Sequence, residues 1–540
     1  MLDDTLGIGA VLMAAGAGGL SDGLLALLLL SEEMIMHRTL LAVFAVAACS
    51  PCLAASEELG YPRLAMWWPD SHRQSVADLA RYDLIAWGTW EKEETLVELK
   101  RRVPAQVHLV SISLTETSFD SWKSRGELMR QIPAEWFLTQ CGSRLREPVD
   151  AAQTQIPVES IAGQGGKPLF AVGDRLACEY ETMRVVGVDA ATRTLQVERG
   201  DVRPASAHVA GVRIAAHITF WPGTWVMNLS TVCPRVTADP AVGPETWVEW
   251  GLRRLLRENV RDGLCVDRVE DGQSWLVPSF GRTIDPDCSN RDLKGDYATF
   301  NRAWAEGIRS TYLPRLRDML RGKPMISNTS GAFADLLNGC IFEAFPGNWS
   351  QHPDSYRESW ASRAIGDHGL FAAVAHNVPA SMSWVETYES QAAPSPDGSR
   401  HVPNPFKSPG FVPNYRRMRW GLTTALVAGA LFSYEMHTEG HGSLGLMWFD
   451  EYDNAGQGRH YLGLPTGPAI VVTDLEAAGR VYRRDFQNGI VVCNPSDREV
   501  TVPLGGSFRL IKGVQVPDVN SGQTVASVTI GPMDGRILLR

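Results

Sequence analysis

Two short segments of the chain each carry an apolar run that ends in a carboxylate: "GLCVD", Gly263 to Asp267, and "CIFE", Cys340 to Glu343. On an extended backbone alternate side chains share a face, so Cys265 lies beside Asp267 and Ile341 beside Glu343. Burying a bare carboxylate costs several kcal/mol unless it is paired or hydrogen-bonded. Two such acids brought to one opening suggest acid/base or nucleophilic chemistry at an acetal. In that scheme Glu343, near Phe342 and Phe345, is the protonated partner, and Asp267 stays ionised by accepting hydrogen bonds. A structural reading stands beside it: Asp267 pairs with Arg268 or caps the following turn, and Glu343 is an ion-pair partner. Glu386 in "SWVETYE" and Glu435 in "FSYEMH" end similar runs and are rivals for the acid role. Asp83, Glu270, Asp271, Asp450, Glu451 and Asp453 read as loop charges or substrate contacts.

The elements that must position these acids follow from the pattern around them. Eight apolar runs read as strands: "RLAMWWP" from Arg63, "DLIAWG" from Asp83, "QVHLVSISL" from Gln106, "GLCVD", "PMISN" from Pro324, "CIFEAF" from Cys340, "ASMSWVE" from Ala380 and "ALFSYE" from Ala430. Helical periodicity lies between most of them, from Glu94, Thr246, Tyr297, Tyr356 and Tyr415. Eight such units predict an α/β protein built on a (β/α)8 barrel, with its working face at the carboxyl ends of the strands. Asp267 would end strand four, Asn328 strand five, Glu343 strand six, Glu386 strand seven and Glu435 strand eight.

Between strands three and four, residues 146–217 alternate with period two and read as a β-rich insertion of hairpins. The first part of the barrel is then 56–145 and the second 218–465. Beyond 466 "NGIVVCNPSDREVTVPLGG" and "QTVASVTIGPMDGRILLR" read as a C-terminal β-sandwich. Residues 1–55 read as a leader. From Met36 a His-Arg start, an apolar run and small residues before Ser56 make a secretory signal, with translation starting at Met34 or Met36 in preference to Met1. The sequence "VAAC" ending at Cys49 also resembles a lipobox, which would anchor the chain through an acylated cysteine. Export to the periplasm or the medium is the expectation. Seven cysteines follow residue 56 at irregular spacings, which is no disulfide framework.

A net charge of -10 with no basic stripe disfavours nucleic acid as a partner. Seventeen tryptophans suit stacking on sugar faces as well as core packing. Trp67, Trp68, Trp87, Trp90, Trp275, Trp349, Trp384 and Trp448 fall near strand ends and are candidate stacking residues; Asn328, Tyr388 and Tyr434 could bond sugar hydroxyls. "DPDCSNRD" from Asp285 lacks the glycine and distal glutamate of a calcium loop. His208, His217, His376, His437 and His441 show no metal-ligand spacing. Neither a metal nor another cofactor is expected.

"GLCVDRVED", "KPMISNTSG", "NGCIFEAFPG" and "VYRRDFQNGIVVCNPSDREVTVPL", in that order, resemble the bacterial glycoside-hydrolase-like family numbered fifteen. The likeness covers most of 61–540 apart from the insertion. That family is similar in layout to the α-galactosidase superfamily of barrels. The resemblance implies Asp267 as nucleophile and Glu343 as general acid/base. The superfamily's usual strand-six acid is an aspartate, and a glutamate here reaches one methylene further. The resulting expectation is an exported glycosidase acting on a polysaccharide or oligosaccharide. Its alternatives are a non-catalytic carbohydrate-binding or exopolysaccharide-scaffolding barrel, and a polysaccharide lyase or transglycosylase using the same cleft.

Overall fold

The computed structural model describes residues 59–118, 132–220, 223–235, 244, 261–273, 276, 283–291, 296–328, 331–346, 356–389, 410–436, 441–475 and 479–540. The leader with Cys49, the helix expected from Thr246, and the candidates Trp275, Trp349 and His437 lie outside the described residues.

Eight parallel strands stand side by side in chain order. They are β1 (Ala65–Trp67), β2 (Leu84–Trp87), β3 (Val107–Ser113), β4 (Gly263–Asp267), β5 (Met325–Asn328), β6 (Gly339–Phe342), β7 (Trp384–Tyr388) and β8 (Leu431–Glu435). A parallel bridge between Leu64 and Phe432 brings β8 back to β1, so the sheet is a nearly closed barrel. Alternation decides what fills it. Ala65, Trp67, Leu84, Ala86, Val107, Leu109, Cys265, Ile326, Ile341, Trp384 and Leu431 point inward and form one apolar cluster. The intervening residues, such as Ile85, Val110, Leu264, Val266, Phe342, Val385 and Phe432, join the larger core under the helices. Buried on both faces, such strands carry near-continuous apolar runs, which is why they were readable.

The helices that cover the barrel include α1 (Glu93–Arg102), α2 (Tyr297–Gly307), α3 (Leu313–Leu320), α4 (Tyr356–Ile365), α5 (Leu370–His376) and α6 (Tyr415–Ala428). The one periodic segment from Tyr297 is divided by a wide turn at Ile308–Tyr312. Pro314, just beyond it, has no N–H to donate back into that turn. The segment from Tyr356 is likewise two helices, separated by a stretch containing Gly366 and Gly369, residues that weaken a helix interior.

The insertion is a six-stranded antiparallel sheet whose strands lie within Ser143–Ala216, with its own cluster around Leu176, Met183, Val185, Leu195 and Ile214. Its root is tied to the segment after β4. Thr139–Gln140 pairs antiparallel with Ile284–Asp285, and the Arg213 guanidinium donates to Asp285 Oδ2 at 2.5 Å and Thr139 Oγ1 at 2.8 Å. Both connections leave carboxyl ends of barrel strands, so the insertion is rooted on the mouth side.

The region beyond 466 is β-rich, but its strands belong to one six-stranded antiparallel sheet instead of the two sheets of a sandwich. In spatial order they are β9 (Ile470–Asp474), β10 (Arg480–Phe486), β11 (Gly489–Asn494), β14 (Asp534–Leu539), β12 (Val500–Leu510) and β13 (Thr524–Ile530). β12 changes register between Pro503 and Phe508 and bonds to both β13 and β14, so one long strand joins what would otherwise be two sheets. Parity again assigns the faces. Ile490, Val492 and Leu538 join the sheet's own cluster, while Val491, Cys493, Ile537 and Leu539 pack into the barrel core. α6 lies against β14 so closely that a Cβ at Gly535 would collide with Thr423. Beside that contact Arg419 of α6 makes a buried two-point pair with Asp534, both bonds 2.9 Å. Among the described residues no helix is long and apolar enough to cross a membrane.

Candidate active site

One layer above the apolar plug, the inward positions turn polar. Continuing the alternation from Leu109, Cys265, Ile326, Ile341, Trp384 and Leu431 gives Ser111, Asp267, Asn328, Glu343, Glu386 with Tyr388, and Ser433 with Glu435. This ring sits at the carboxyl ends of β3 to β8 and forms the barrel mouth. Trp67 and Trp384 make its floor: both are fully buried, their rings 6.3 Å apart. Their indole N–H groups donate to Ser111 Oγ and Ser433 Oγ at 3.2 and 2.8 Å.

Asp267 and Glu343 are brought together. Asn328 Nδ2 donates to Asp267 Oδ1 at 2.9 Å and to Glu343 Oε2 at 2.7 Å. Two oxygens on one nitrogen can be no further apart than both bonds end to end, about 5.6 Å. Both acids are half-buried, whereas Asn328 is 2% exposed and its Oδ1 has no partner among the described residues. The backbone turns sharply after each acid, through left-handed residues Arg268 (φ 65°) and Ala344 (φ 56°). Non-glycine residues adopt this conformation at a cost of about 1 kcal/mol or more. The turn leaves each carboxylate as the last side chain its strand presents.

The charge cluster around β4 resolves into separate tasks. Asp262 at its entrance pairs with Lys100 at 2.7 Å and accepts from the His108 N–H. Arg268 lies 3.1 Å from Glu270, which also accepts from Gln273 at 2.8 Å. The described partner of Asp267 is therefore Asn328, and Arg268 is engaged elsewhere.

Behind Glu343 lies a buried polar chain. The Tyr388 hydroxyl is 2.9 Å from Glu343 Oε1 and 3.0 Å from Glu386 Oε2. His441 Nδ1 is 2.8 Å from Glu386 Oε1 and 3.2 Å from Glu435 Oε2. Glu435 Oε1 accepts from the Trp67 backbone N–H at 3.1 Å. Burial pushes the Glu343 carboxyl above the ordinary carboxylate range; the positive charge of His441 opposes this and the negative charge of Asp267 adds to it. Burial, then the neighbouring Glu435 charge, lifts Glu386 well above that range. Burial alone would lower His441, but Glu386 and Glu435 outweigh it and hold the imidazole well above its ordinary value. Ligand atoms of Glu386, Glu435 and His441 lie within 4.8 Å of one another, the one such grouping among the described residues. Their mutual hydrogen bonds account for that closeness.

The other candidates divide. Trp68 follows β1 and packs edge-on against Trp90, centroids 5.7 Å apart, and against His441 at 5.0 Å. Trp90 is 60% exposed, and its ring lies over Gly88, where a Cβ would come within 2.5 Å. Together they form an aromatic wall beside the mouth. Glu386 and Glu435 have no exposed surface, so neither can meet a ligand as the rival acid in this conformation. Trp87, Tyr434 and Trp448 are corrections to the sequence reading. Trp87 takes the opposite parity from Ala86, is fully buried under the helices and donates to His108 Nδ1 at 3.0 Å. Tyr434, between Ser433 and Glu435, points the same way and donates to Glu389 at 2.6 Å. Trp448 packs on Tyr82 and beneath the Arg81 guanidinium, 3.4 Å from its ring centroid, at the amino end of β2. Trp67 and Trp384 form the floor, so neither is an open stacking surface, and Tyr388, expected to bond sugar hydroxyls, is buried behind Glu343 with its hydroxyl held by Glu343 and Glu386. His441 was missed as a site residue; it follows the strand-eight glutamate by six positions in "EMHTEGHG", a spacing that carries no signal of its own.

No family model and no curated protein matches the chain, so the resemblance to family fifteen rests on the quoted segments alone. Solved structures with similar folds include a noncanonic maltogenic α-amylase from Thermotoga neapolitana, 8% identical with a TM-score of 0.35, covering 88% of this chain and 98% of that one. Another is a MutB variant from crystals soaked with trehalulose, 10% identical with a TM-score of 0.44, covering 89% and 100%. A third is a GH36 α-galactosidase from Geobacillus stearothermophilus in complex with raffinose, 9% identical with a TM-score of 0.36, covering 89% and 55%. Likeness of this degree transfers no activity to this chain.

Proposed function

We propose that the chain is a glycoside hydrolase that cleaves a polysaccharide or oligosaccharide at the barrel mouth, with Asp267 as nucleophile and Glu343 as general acid/base. The observation that carries this reading is the single amide of Asn328 bonded to both carboxylates. A separation of about 5–5.5 Å between carboxyl groups belongs to retaining glycosidases, whereas inverting ones leave about 6.5–9.5 Å for a water. The upper bound set by Asn328 favours retention through a glycosyl-enzyme.

In the first half-reaction Asp267 attacks the anomeric carbon as the glycosidic C–O bond breaks, and Glu343 gives its proton to the departing oxygen. In the second, Glu343 takes a proton from water, whose oxygen displaces Asp267 and releases the sugar. The raised pKa of Glu343 supports the acid role, and the Trp68–Trp90 wall supports stacking of a sugar ring. With the leader read in residues 36–55, the proposal is of an exported enzyme.

The test is a polysaccharide panel assayed for reducing ends with wild type, Asp267→Asn and Glu343→Gln. Loss of turnover in both variants, with glycan binding retained, supports the proposal, as does anomeric retention in the first product. Binding without turnover in the wild type would instead indicate a carbohydrate-binding barrel, and unsaturated ultraviolet-absorbing ends a lyase.

A further inference from the structure

The hydrogen-bond chain behind Glu343 contains fewer protons than links. Tyr388 Oη sits between Glu343 Oε1 at 2.9 Å and Glu386 Oε2 at 3.0 Å. Each contact is a hydrogen bond only if a proton lies in it, and a tyrosine brings one. His441 cannot complete the count: its Nδ1 carries at most one proton, faces both Glu386 and Glu435, and is 3.5 Å from Tyr388 Oη. One carboxyl of the Glu343–Glu386 pair must therefore hold the second proton. Glu386 has no exposed surface, so its described link toward the mouth runs through Tyr388.

We infer that Glu343 and Glu386 share one acidic proton through the Tyr388 hydroxyl, so that the buried Glu386 sets how readily Glu343 is found in its acid form. Transfer balances without any further reactant. The Tyr388 O–H bond breaks as its proton forms an O–H bond on Glu343 Oε1. The O–H bond on Glu386 Oε2 breaks as that proton moves to Tyr388 Oη. The tyrosine ends unchanged, Glu343 becomes neutral, and the negative charge moves to Glu386 beside His441. With the proton on Glu386 the chain runs Glu386 to Tyr388 to Glu343, and Glu343 is a carboxylate accepting from Tyr388 and Asn328. Drawing on this store does not alter the hydrolytic stoichiometry: the pair's one proton goes to the leaving oxygen in the first half-reaction, leaving both carboxyls ionised, and the second half-reaction returns one from water to Glu343. Tyr388 and Glu386 are thus positioning residues, and this role rests on the acid/base assignment of Glu343.

The groups facing the pair come from every surrounding element. Asp267 on β4 and Asn328 on β5 lie on the mouth side of Glu343. Glu435 on β8 and His441 lie beyond Glu386. Cys265 on β4 lies beneath the pair, and Arg363 on α4 donates to the Glu343 backbone carbonyl at 2.6 Å while feeling both glutamate charges. Burial raises both glutamates, in keeping with a retained proton.

The test needs no substrate, so it stands whether or not the chain proves to be a hydrolase. The full-length protein carrying 13Cδ-glutamate is titrated by NMR, with the two signals assigned by their loss in Glu343→Gln and Glu386→Gln. In wild type the two carboxyls should titrate together, each responding at the other's midpoint. Glu386→Gln should lower the Glu343 midpoint by about one pH unit, because the glutamine amide can donate to Tyr388 but cannot take up its proton. In a Tyr388→Phe background the same change should leave the Glu343 midpoint where the phenylalanine put it. An equal shift in both backgrounds would reduce the effect to through-space charge and overturn the shared proton. So would an unmoved midpoint in the Glu386→Gln single variant. If Glu386→Gln does not fold, Tyr388→Phe alone decides: the two titrations must separate, and persistence of their coupling refutes the inference.

Discussion

Replacing Asn328 with leucine removes a donor that, alone among the described residues, touches both proposed catalytic carboxylates, while nearly keeping the side-chain volume. A hydrogen bond to a charged group contributes about 1.5–3 kcal/mol. Asn328 Nδ2 gives one to Glu343 and one to Asp267, and among the described residues it is the only donor to the Asp267 carboxylate. Each stabilises the ionised form over the neutral one. At about 1.36 kcal/mol per pH unit, losing the bond to Glu343 should raise its midpoint by about one to two units. The neighbouring charge acts in the same direction. Two unit charges no more than about 5.6 Å apart repel by at least roughly 3 kcal/mol at an effective dielectric of 20, and the amide that separated them is gone. Turnover should fall about 10–100-fold, because Asp267 is no longer held in line. The assay is the 13Cδ-glutamate titration of Asn328→Leu beside wild type, with the alkaline limb of kcat/KM as a second readout on any glycan the wild type cleaves. A folded variant whose Glu343 midpoint stays within about 0.3 units of wild type, or falls, would refute this account of the mouth.

Three further perturbations follow from the same geometry. Gly88→Ala places a methyl against the Trp90 ring and should raise KM for the glycan several-fold with little change in kcat; titration calorimetry on the inactive Glu343→Gln background reads the same weakening as lost affinity. Asp534→Ala strands the Arg419 guanidinium between α6 and the terminal sheet and should cost about 3–5 kcal/mol in denaturant unfolding; a loss below about 1 kcal/mol would show that the pair adds nothing to docking. His441→Gln tests the imidazolium. Its folded pKa lies well above the unfolded value, so the stability it contributes is fully present below about pH 6.5 and fades as pH rises through the folded value. The stability gap between wild type and variant should accordingly be widest near pH 6 and narrow in alkali, and a gap that widens with pH would contradict a charged His441.

The barrel was legible because its strands are buried on both faces, so "GLCVD" and "ALFSYE" stand out as apolar runs that stop at a carboxylate. Asp267 and Glu343 could be placed at strand ends for the same reason. Their convergence could not be read, since it depends on strand stagger and on the left-handed turns at Arg268 and Ala344. Trp87 and Tyr434 were misread because nearness to a strand end was taken as exposure. Strict alternation from Ala86 and Glu435 turns both toward the helices. His441 was invisible for a different reason. It reaches the two glutamates through the path of the backbone after β8, and residue spacing carries no trace of that path. The terminal sheet was recognisable as β, yet its single-sheet pairing depends on the register change within β12, which no local composition marks.

The clasp between α6 and β14 also bears on how the molecule is made. Arg419 leaves the ribosome before Asp534, with more than a hundred residues still to come. Until that segment emerges, the nascent cylinder carries an unneutralised guanidinium and a bare oily flank where Val491, Ile537 and Leu539 will settle. Docking of that sheet, more than synthesis of the eighth stave, is then the moment at which the barrel becomes whole.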